Sequence, residues 1–433
     1  MSQAAAPPVL CDTPPVLCVA PSRALVDEKI AVLVENLPPG SLVTVRSLHH
    51  SDDQDDWEAY AHYVSDHRGV VSVSEDMSFG GTYSGVEPMG LLWSLRPVPG
   101  SRTGLRLRKK NVCTPLLFHI SVHGGHEGFR ERPPLASALI ERWYVAPGVQ
   151  RIDVRERGVR GTLFLPPGPG PFPGVLDMWG GGGGLHEYRA ALLACHGYVA
   201  LALEYFKPGE LKSTDLEYSY FETAFNLIQE HPRVMADRVG ILGLSLGSSL
   251  ALSLAAESKT VQPRACICIG SNHCSGRSLS GSPMVLITNP EGMRVDENNH
   301  HIWRDMALSI LEDESKLVDV GKISCPLMVV NGADDQNWPS TEMADDITRR
   351  MRAAGKEHLL TRLEYPDAGH LIEPPFSPHF RATNFMVQGR QKVILLWGGQ
   401  TKPHSDAQED SWRKILSFLQ QHLYGNQCPK AKL

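Results

Sequence analysis

The chain is short of several things, and each shortage removes a class of function. No run of about 18 or more apolar residues occurs along its 433 residues, so no membrane-spanning helix is expected. The net charge of −6 supplies no basic field for a nucleic acid. The nine cysteines contain no C-x-x-C pair, and no other metal-ligand spacing is present. Neither a zinc site nor a disulfide framework is implied, and the odd, scattered set reads as free thiols of a reducing compartment. Cys266 and Cys268 alternate along one apolar strand, which favours packing over metal binding. The start of the chain lacks the basic region of a signal peptide and is interrupted by Pro7, Pro8, Pro14 and Pro15. No arginine precedes Arg23 and Asp12 is acidic, which argues against a mitochondrial presequence. The PPVLC unit at Pro7–Cys11 and Pro14–Cys18 is a local duplication in a flexible end, residues 1–20.

What remains is an ordinary globular composition, 42% apolar and 21% charged. The length predicts two domains. Residues 21–148 read as all-β, because helical periodicity is nearly absent. Ile30–Val34, Leu42–Val45, Val70–Val73 and Leu116–Val122 are short apolar runs, and Asn36–Gly40 is a turn between the first two. Short strands separated by turns predict a β-sandwich. In residues 149–424 strands and helices alternate. Strands are expected at Gly161–Pro166, Gly174–Met178, Tyr198–Leu203, Arg238–Leu242, Cys266–Ile269 and Pro326–Val330, with helices at Tyr188–His196, Phe221–His231, Thr341–Ala354 and Ser405–His422. This alternation predicts a mostly parallel sheet covered by helices on both faces. The segment 271–318 has no clear strand and is expected to form a cap or insertion.

Gly243-Leu244-Ser245-Leu246-Gly247 stands between an apolar strand and a Leu/Ala/Ser-rich helix. A G-x-S-x-G turn in that setting lifts a serine hydroxyl above the sheet beside a helix N-terminus, and identifies Ser245 as a candidate nucleophile. Such a serine needs an acid and a histidine later in the chain. His370, in the loop after Leu363–Tyr365, is the best placed of 18 histidines. Asp334 and Asp335 follow the strand ending at Val330; Pro339, a few positions on, favours Asp335, with Asp334 as a turn residue. The backbone N–H of Leu246 and those of Gly180 and Gly181 are the expected oxyanion hole. The run Gly180–Gly184 does not fit a nucleotide-binding loop, since Leu185 occupies the last glycine position of G-x-G-x-x-G and no P-loop lysine follows. Arg102, Arg106, Arg108, Lys109 and Lys110 form a basic cluster. A solvated strand edge is the simpler reading; contact with the phosphates of a coenzyme thioester is the alternative.

The segments Phe79–Trp93, Thr162–Gly174, Tyr365-Pro366 with Gly369–Pro375, and Trp397–Gly399 with His404 and Ala407-Gln408 resemble the acyl-CoA thioesterase family that includes bile acid-CoA:amino acid N-acyltransferase. The resemblance extends over most of the chain. It implies an immunoglobulin-like N-terminal domain before an α/β-hydrolase domain, and a triad of Ser245, Asp335 and His370. It implies an acyl-CoA substrate and no cofactor or metal. The acyltransferases that the chain resembles use cysteine at the elbow. Serine there points to hydrolysis of fatty acyl-CoA to fatty acid and CoA, with glycine or taurine conjugation or a non-catalytic binding role as alternatives. The unbroken glycines 180–184 also depart from the family, which places a larger residue among them. The tail 425–433 is expected to be extended, and Ala431-Lys432-Leu433 has the small–basic–Leu form of a peroxisomal address read by the import receptor. A peroxisomal enzyme is therefore expected, with the cytosol as alternative.

Overall fold

The computed structural model describes residues 13–207, 211, 217–275, 293–386 and 392–425. The chain divides into two compact units. The first comprises residues up to Ser101, Thr114–Trp143 and Phe376–Pro378. It holds a three-stranded antiparallel sheet (Val16–Ala20, Ala31–Glu35, Val71–Ser72) and a six-stranded sheet. The long strands of the latter are Leu42–His50, Asp56–Val64, Leu116–Gly124 and Ala136–Trp143. Side chains alternate between faces along a strand, so Val43 and Val45, Trp57 to Tyr63 at every second position, and Ile120 and Val122 all lie buried.

The second unit comprises Arg102–Cys113, Tyr144–Pro375 and His379 onward. Residues Arg102–Cys113 contain no strand, and this corrects the expectation of a basic strand edge within the β-domain. The chain leaves that domain at Ser101 and rejoins it at Thr114.

The core of the second unit is an eight-stranded sheet. Its strands in chain order are β1 (Gln150–Glu156), β2 (Val159–Leu165), β3 (Phe172–Met178), β4 (Val199–Leu203), β5 (Val234–Leu244), β6 (Ala265–Ile269), β7 (Leu327–Gly332) and β8 (Leu360–Tyr365). Their spatial order is β1-β2-β4-β3-β5-β6-β7-β8. All pairings from β4 to β8 are parallel, while β1–β2 and β2–β4 are antiparallel. This is the doubly covered, mostly parallel sheet of an α/β-hydrolase. β4 and β6 are buried along their whole length and read as continuous apolar runs for that reason. β1, Arg-Ile-Asp-Val-Arg-Glu after Gln150, is an edge strand exposed on nearly every residue. Its polarity hid it from the sequence pattern.

Helices Tyr188–Cys195, Tyr218–Gln229, Leu246–Glu257, Ser340–Ala353 and Thr401–Leu419 pack on this sheet. A second, four-stranded sheet joins Arg294–Val295 and His301–Ile302 to Ala382–Met386 and Lys392–Leu396. The described part of the expected cap, 271–318, thus contributes strands after all; residues 276–292 lie outside the described residues. Among the described residues no helix is long and apolar enough to cross a membrane, and none of the seven described cysteines forms a disulfide.

Candidate active site

Ser245 stands between the end of β5 at Leu244 and the helix Leu246–Glu257. Its φ of 56° and ψ of −113° lie in a region that costs a non-glycine residue of order 1–3 kcal/mol. Neighbouring backbone holds it there: Ser245 N–H donates to Ile269 O at 2.8 Å, and Ser248 N–H donates to Ser245 O at 2.9 Å. The flanking glycines are required by space. A Cβ on Gly243 would stand 2.1 Å from Gly247 O, and one on Gly247 would stand 2.4 Å from Met178 O. The spacing of G-x-S-x-G is therefore the footprint of a turn wedged against the end of β3. Leu246, as the first helical residue, has an N–H with no intrahelical acceptor.

The glycine loop follows β3 and runs beside this turn. A Cβ on Gly180 would lie 3.5 Å from Ser245 Cβ, and one on Gly181 would lie 4.0 Å from Leu246 Cβ. The loop is fastened away from the serine: Gly184 N–H donates to Tyr205 O at 2.7 Å, and the Tyr205 hydroxyl donates to Trp179 O.

His370 and Asp335 sit on the loops after β8 and β7. His370 Nδ1 donates to Asp335 Oδ2 at 2.6 Å. Both residues are nearly sealed from solvent, at 1% and 3% exposure. Asp335 is saturated with donors. Its Oδ1 accepts the N–H groups of Asn337 and Trp338 at 2.9 and 2.8 Å, and its Oδ2 also accepts Ser340 Oγ–H at 2.6 Å. Asp334 points elsewhere: it accepts Gly399 N–H at 2.8 Å, Arg381 at 3.2 Å and Gln336 at 2.7 Å, pinning its own loop. His370 Nε2 is buried without a hydrogen-bond partner, a common state for such a nitrogen before substrate arrives.

The His370 loop is gripped from the C-terminal helix. Gly369 N–H donates to His404 Nδ1 at 3.0 Å, and His404 Nε2 donates to Leu371 O at 2.8 Å. Each bond uses one nitrogen of a neutral imidazole. Burial, with His379 adding a smaller effect, pushes the His404 pKa down to about 3. His370 N–H donates to Trp397 O at 2.9 Å, and the two rings lie nearly parallel, 5.8 Å apart.

Ser245, Leu246, Gly180, Gly181 and His370 all line one cavity of about 270 Å³. Asp335 stands behind His370. The cavity walls add residues that sequence reasoning did not assign to a site: Trp303, Trp338, Phe385, Met386 and the arginines Arg106 and Arg108. Arg106 belongs to the basic cluster, yet its side chain is only 8% exposed and pairs with Glu373 at 2.7 Å. The Glu373 signal was available in sequence only as part of Gly369–Pro375. Among the described residues no group of three or more His, Cys, Asp or Glu is placed to hold a metal.

Comparison with known proteins identifies the family of the chain. Residues 27–156 match the family described as "Acyl-CoA thioester hydrolase/BAAT N-terminal region", and residues 215–425 match "BAAT / Acyl-CoA thioester hydrolase C terminal". The chain is 37% identical to mouse acyl-coenzyme A thioesterase 1 over 94% of its own length and 96% of that protein. It is 38% identical to mouse peroxisomal succinyl-coenzyme A thioesterase, covering 93% and 95%. It is 36% identical to mouse bile acid-CoA:amino acid N-acyltransferase, covering 93% and 96%. With both halves matched and relatives spanned almost end to end, the chain belongs to the acyl-CoA thioester hydrolase and bile acid-CoA:amino acid N-acyltransferase family.

Proposed function

We propose that this enzyme hydrolyses fatty acyl-CoA thioesters to free acid and CoA, with Ser245, His370 and Asp335 as its triad. The observation that carries the reading is the buried His370–Asp335 bond of 2.6 Å beside an open Nε2, with Ser245 on the wall of the same cavity. In this reading Ser245 Oγ attacks the thioester carbonyl while His370 Nε2 takes its proton. Asp335 holds the imidazole in the tautomer with a free Nε2 and stabilises the imidazolium that forms. The oxyanion is met by Leu246 N–H and by the Gly180–Gly181 backbone. The imidazolium returns its proton to the departing CoA thiolate. His370 then deprotonates water, which displaces the acid from Ser245.

Acyl transfer to an amino acid is the second reading, kept in view by the N-acyltransferase among the relatives. The elbow serine weighs against it, because an oxygen ester is less receptive to amine attack than a thioester. We further propose that the first unit is an immunoglobulin-like sandwich. The expected boundary at residue 20 is corrected, because Val16–Ala20 is a strand of that unit, and Arg102–Cys113 and Tyr144 onward belong to the second unit, the hydrolase domain. The peroxisomal address Ala431-Lys432-Leu433 lies outside the described residues, and delivery to the peroxisome through the import receptor is proposed on that tripeptide alone. Reaction with a fluorophosphonate probe, together with rates across a panel of acyl-CoA esters, tests the function. Labelling and turnover in the wild type, both lost in Ser245→Ala at unchanged melting temperature, are expected. Equal turnover by the alanine variant would overturn the mechanism.

A further inference from the structure

Half of the chain's eight tryptophans meet in one place. Trp179, Trp303, Trp338 and Trp397 come from four separate loops, and all line the cavity that holds Ser245 and His370. None is more than 7% exposed. Phe385, which is partly buried, lines the cavity with them. Three of these rings form a connected row. Trp397 lies 5.8 Å from His370 with its plane nearly parallel. Phe385 meets Trp397 edge-on at 6.1 Å, and Trp303 meets Phe385 at 5.5 Å and 85°. The row thus begins beside the proposed base. The glycine loop faces it: a Cβ on Gly182 would lie 3.5 Å from the Phe385 ring, and a longer side chain there would compete with the ring for space. Where that loop begins, the guanidiniums of Arg106 and Arg108 lie over Trp179, at 4.7 and 5.2 Å from its centroid. Nothing in the triad chemistry requires so many rings. A straight alkyl chain is satisfied by leucine and methionine. Rings set at right angles to one another offer faces and edges to a further ring, in the arrangements that aromatic groups prefer.

Resting on the thioesterase reading above, we propose that this row is a subsite for an aromatic ring, and that acyl-CoA esters with a phenyl ring a carbon or two from the carbonyl are substrates, favoured over alkyl chains of equal carbon count. Size agrees. An apolar cavity of about 150 Å³ is enough to take up benzene, so about 270 Å³ has room for a phenyl ring, a short link and the thioester. Charge narrows the choice. Aromatic walls also suit quaternary ammonium groups, but among the described residues the lining holds two arginines and no carboxylate, so a cationic acyl group would be repelled. A neutral π-face instead suits the guanidiniums. The adenine of coenzyme A is a second source of a flat ring. Position favours the acyl ring, because the row starts beside His370 and the pantetheine arm carries the adenine well away from the thioester.

The test compares kcat/KM for phenylacetyl-, cyclohexylacetyl- and octanoyl-CoA, which share one carbon count. Cyclohexyl is as bulky and apolar as phenyl but neither flat nor π-bonded. The wild type is expected to favour phenylacetyl over each of the others by about tenfold; an equal or lower value for it overturns the proposal. Phe385→Leu and Trp303→Leu should each lower the phenylacetyl-to-cyclohexylacetyl ratio by roughly threefold or more, with thermal melts confirming the fold. A ratio unmoved in both overturns the placement of the ring, and if one variant does not fold, the other and the wild-type comparison still decide. The same esters are run as pantetheine thioesters, which lack the adenine. A loss equal for all three CoA esters and absent with pantetheine thioesters assigns the row to adenine and overturns the acyl assignment. If the wild type hydrolyses no ester, the thioesterase reading fails by itself. The subsite is then read by calorimetry with the thioethers S-(2-phenylethyl)-CoA and S-(2-cyclohexylethyl)-CoA, and equal affinities would refute it.

Discussion

Replacing Asp335 by asparagine changes one atom, and the hydrogen bonds around it dictate where that atom goes. Oδ1 accepts two backbone N–H groups, from Asn337 and Trp338. An amide NH2 at that position would face two donors, so the oxygen must stay there and the NH2 must take the place of Oδ2. Ser340 Oγ can turn to accept from it. His370 Nδ1, now 2.6 Å from a donor in place of an acceptor, must give up its hydrogen and become the acceptor. The proton then resides on Nε2, the nitrogen that in the proposed mechanism takes the proton of Ser245. The variant should retain its fold, losing about 1–3 kcal/mol for the weakened buried hydrogen bonds. Its kcat should fall by roughly 10⁴-fold, the scale expected when a triad base is locked in the wrong tautomer. That corresponds to about 5.5 kcal/mol of barrier. Asp334→Asn keeps an oxygen for Gly399 N–H, loses the charge paired with half-exposed Arg381, and turns its NH2 to Gln336, whose side-chain amide can flip to accept it, so it should act within about threefold of wild type. Release of CoA thiol, followed spectrophotometrically, gives the rates, and thermal melts give the stabilities. Asp335→Asn with more than a tenth of wild-type kcat, or Asp334→Asn as the more damaging change, would refute the assignment.

Gly247→Ala should destabilise the second unit by about 1–3 kcal/mol or more, because its methyl has only backbone to displace; an unchanged denaturation midpoint would contradict the steric account of the elbow. In the presence of glycine or taurine, the wild type should release free acid with little amide, and Ser245→Cys should raise the amide share; dominant amide from the wild type, separated by chromatography, would move the chain to acyl transfer. His186 and His404 have pKa values pushed down to about 3, so between about pH 6.5 and 3 the unfolded chain binds protons that the folded chain refuses, and stability must fall as pH falls. His404→Gln should flatten that fall between pH 7 and 5 in denaturant titrations; an identical slope would show His404 protonating freely. A fluorescent protein fused ahead of the intact C-terminus should form puncta with a peroxisomal marker and become diffuse when residues 431–433 are deleted; diffuse signal from the intact fusion would leave the cytosol.

The parts of the fold that were legible in sequence are those whose cause is local. β4 and β6 were visible because strands buried on both faces must be apolar throughout. The elbow was visible because Gly243 and Gly247 are demanded by contacts within the turn and with the adjacent strand. β1 was not, since an edge strand can be polar on both faces. Ala382–Met386 and Lys392–Leu396 pair with each other, and only Leu395 reaches a partner in a distant segment, His301; they were missed because polar Thr383 and Asn384 break the apolar pattern of the first strand. The two aspartates could not be separated by composition; a single step along the loop turns one toward His370 and the other toward Gly399. The arginines were read at a strand edge because nothing within Arg106–Lys110 encodes a partner 267 residues later.

The grip of His404 on Gly369 and Leu371 also has a consequence for biosynthesis. The stretches Trp179–Gly182, Ser245 and Asp335 are all translated well before residue 404. His370 cannot be held on both sides until the helix beginning at Thr401 has emerged and docked. A nascent chain that has built its elbow and its acid still lacks this clamp on His370. In the proposed mechanism its activity waits for the docking of the helix Thr401–Leu419.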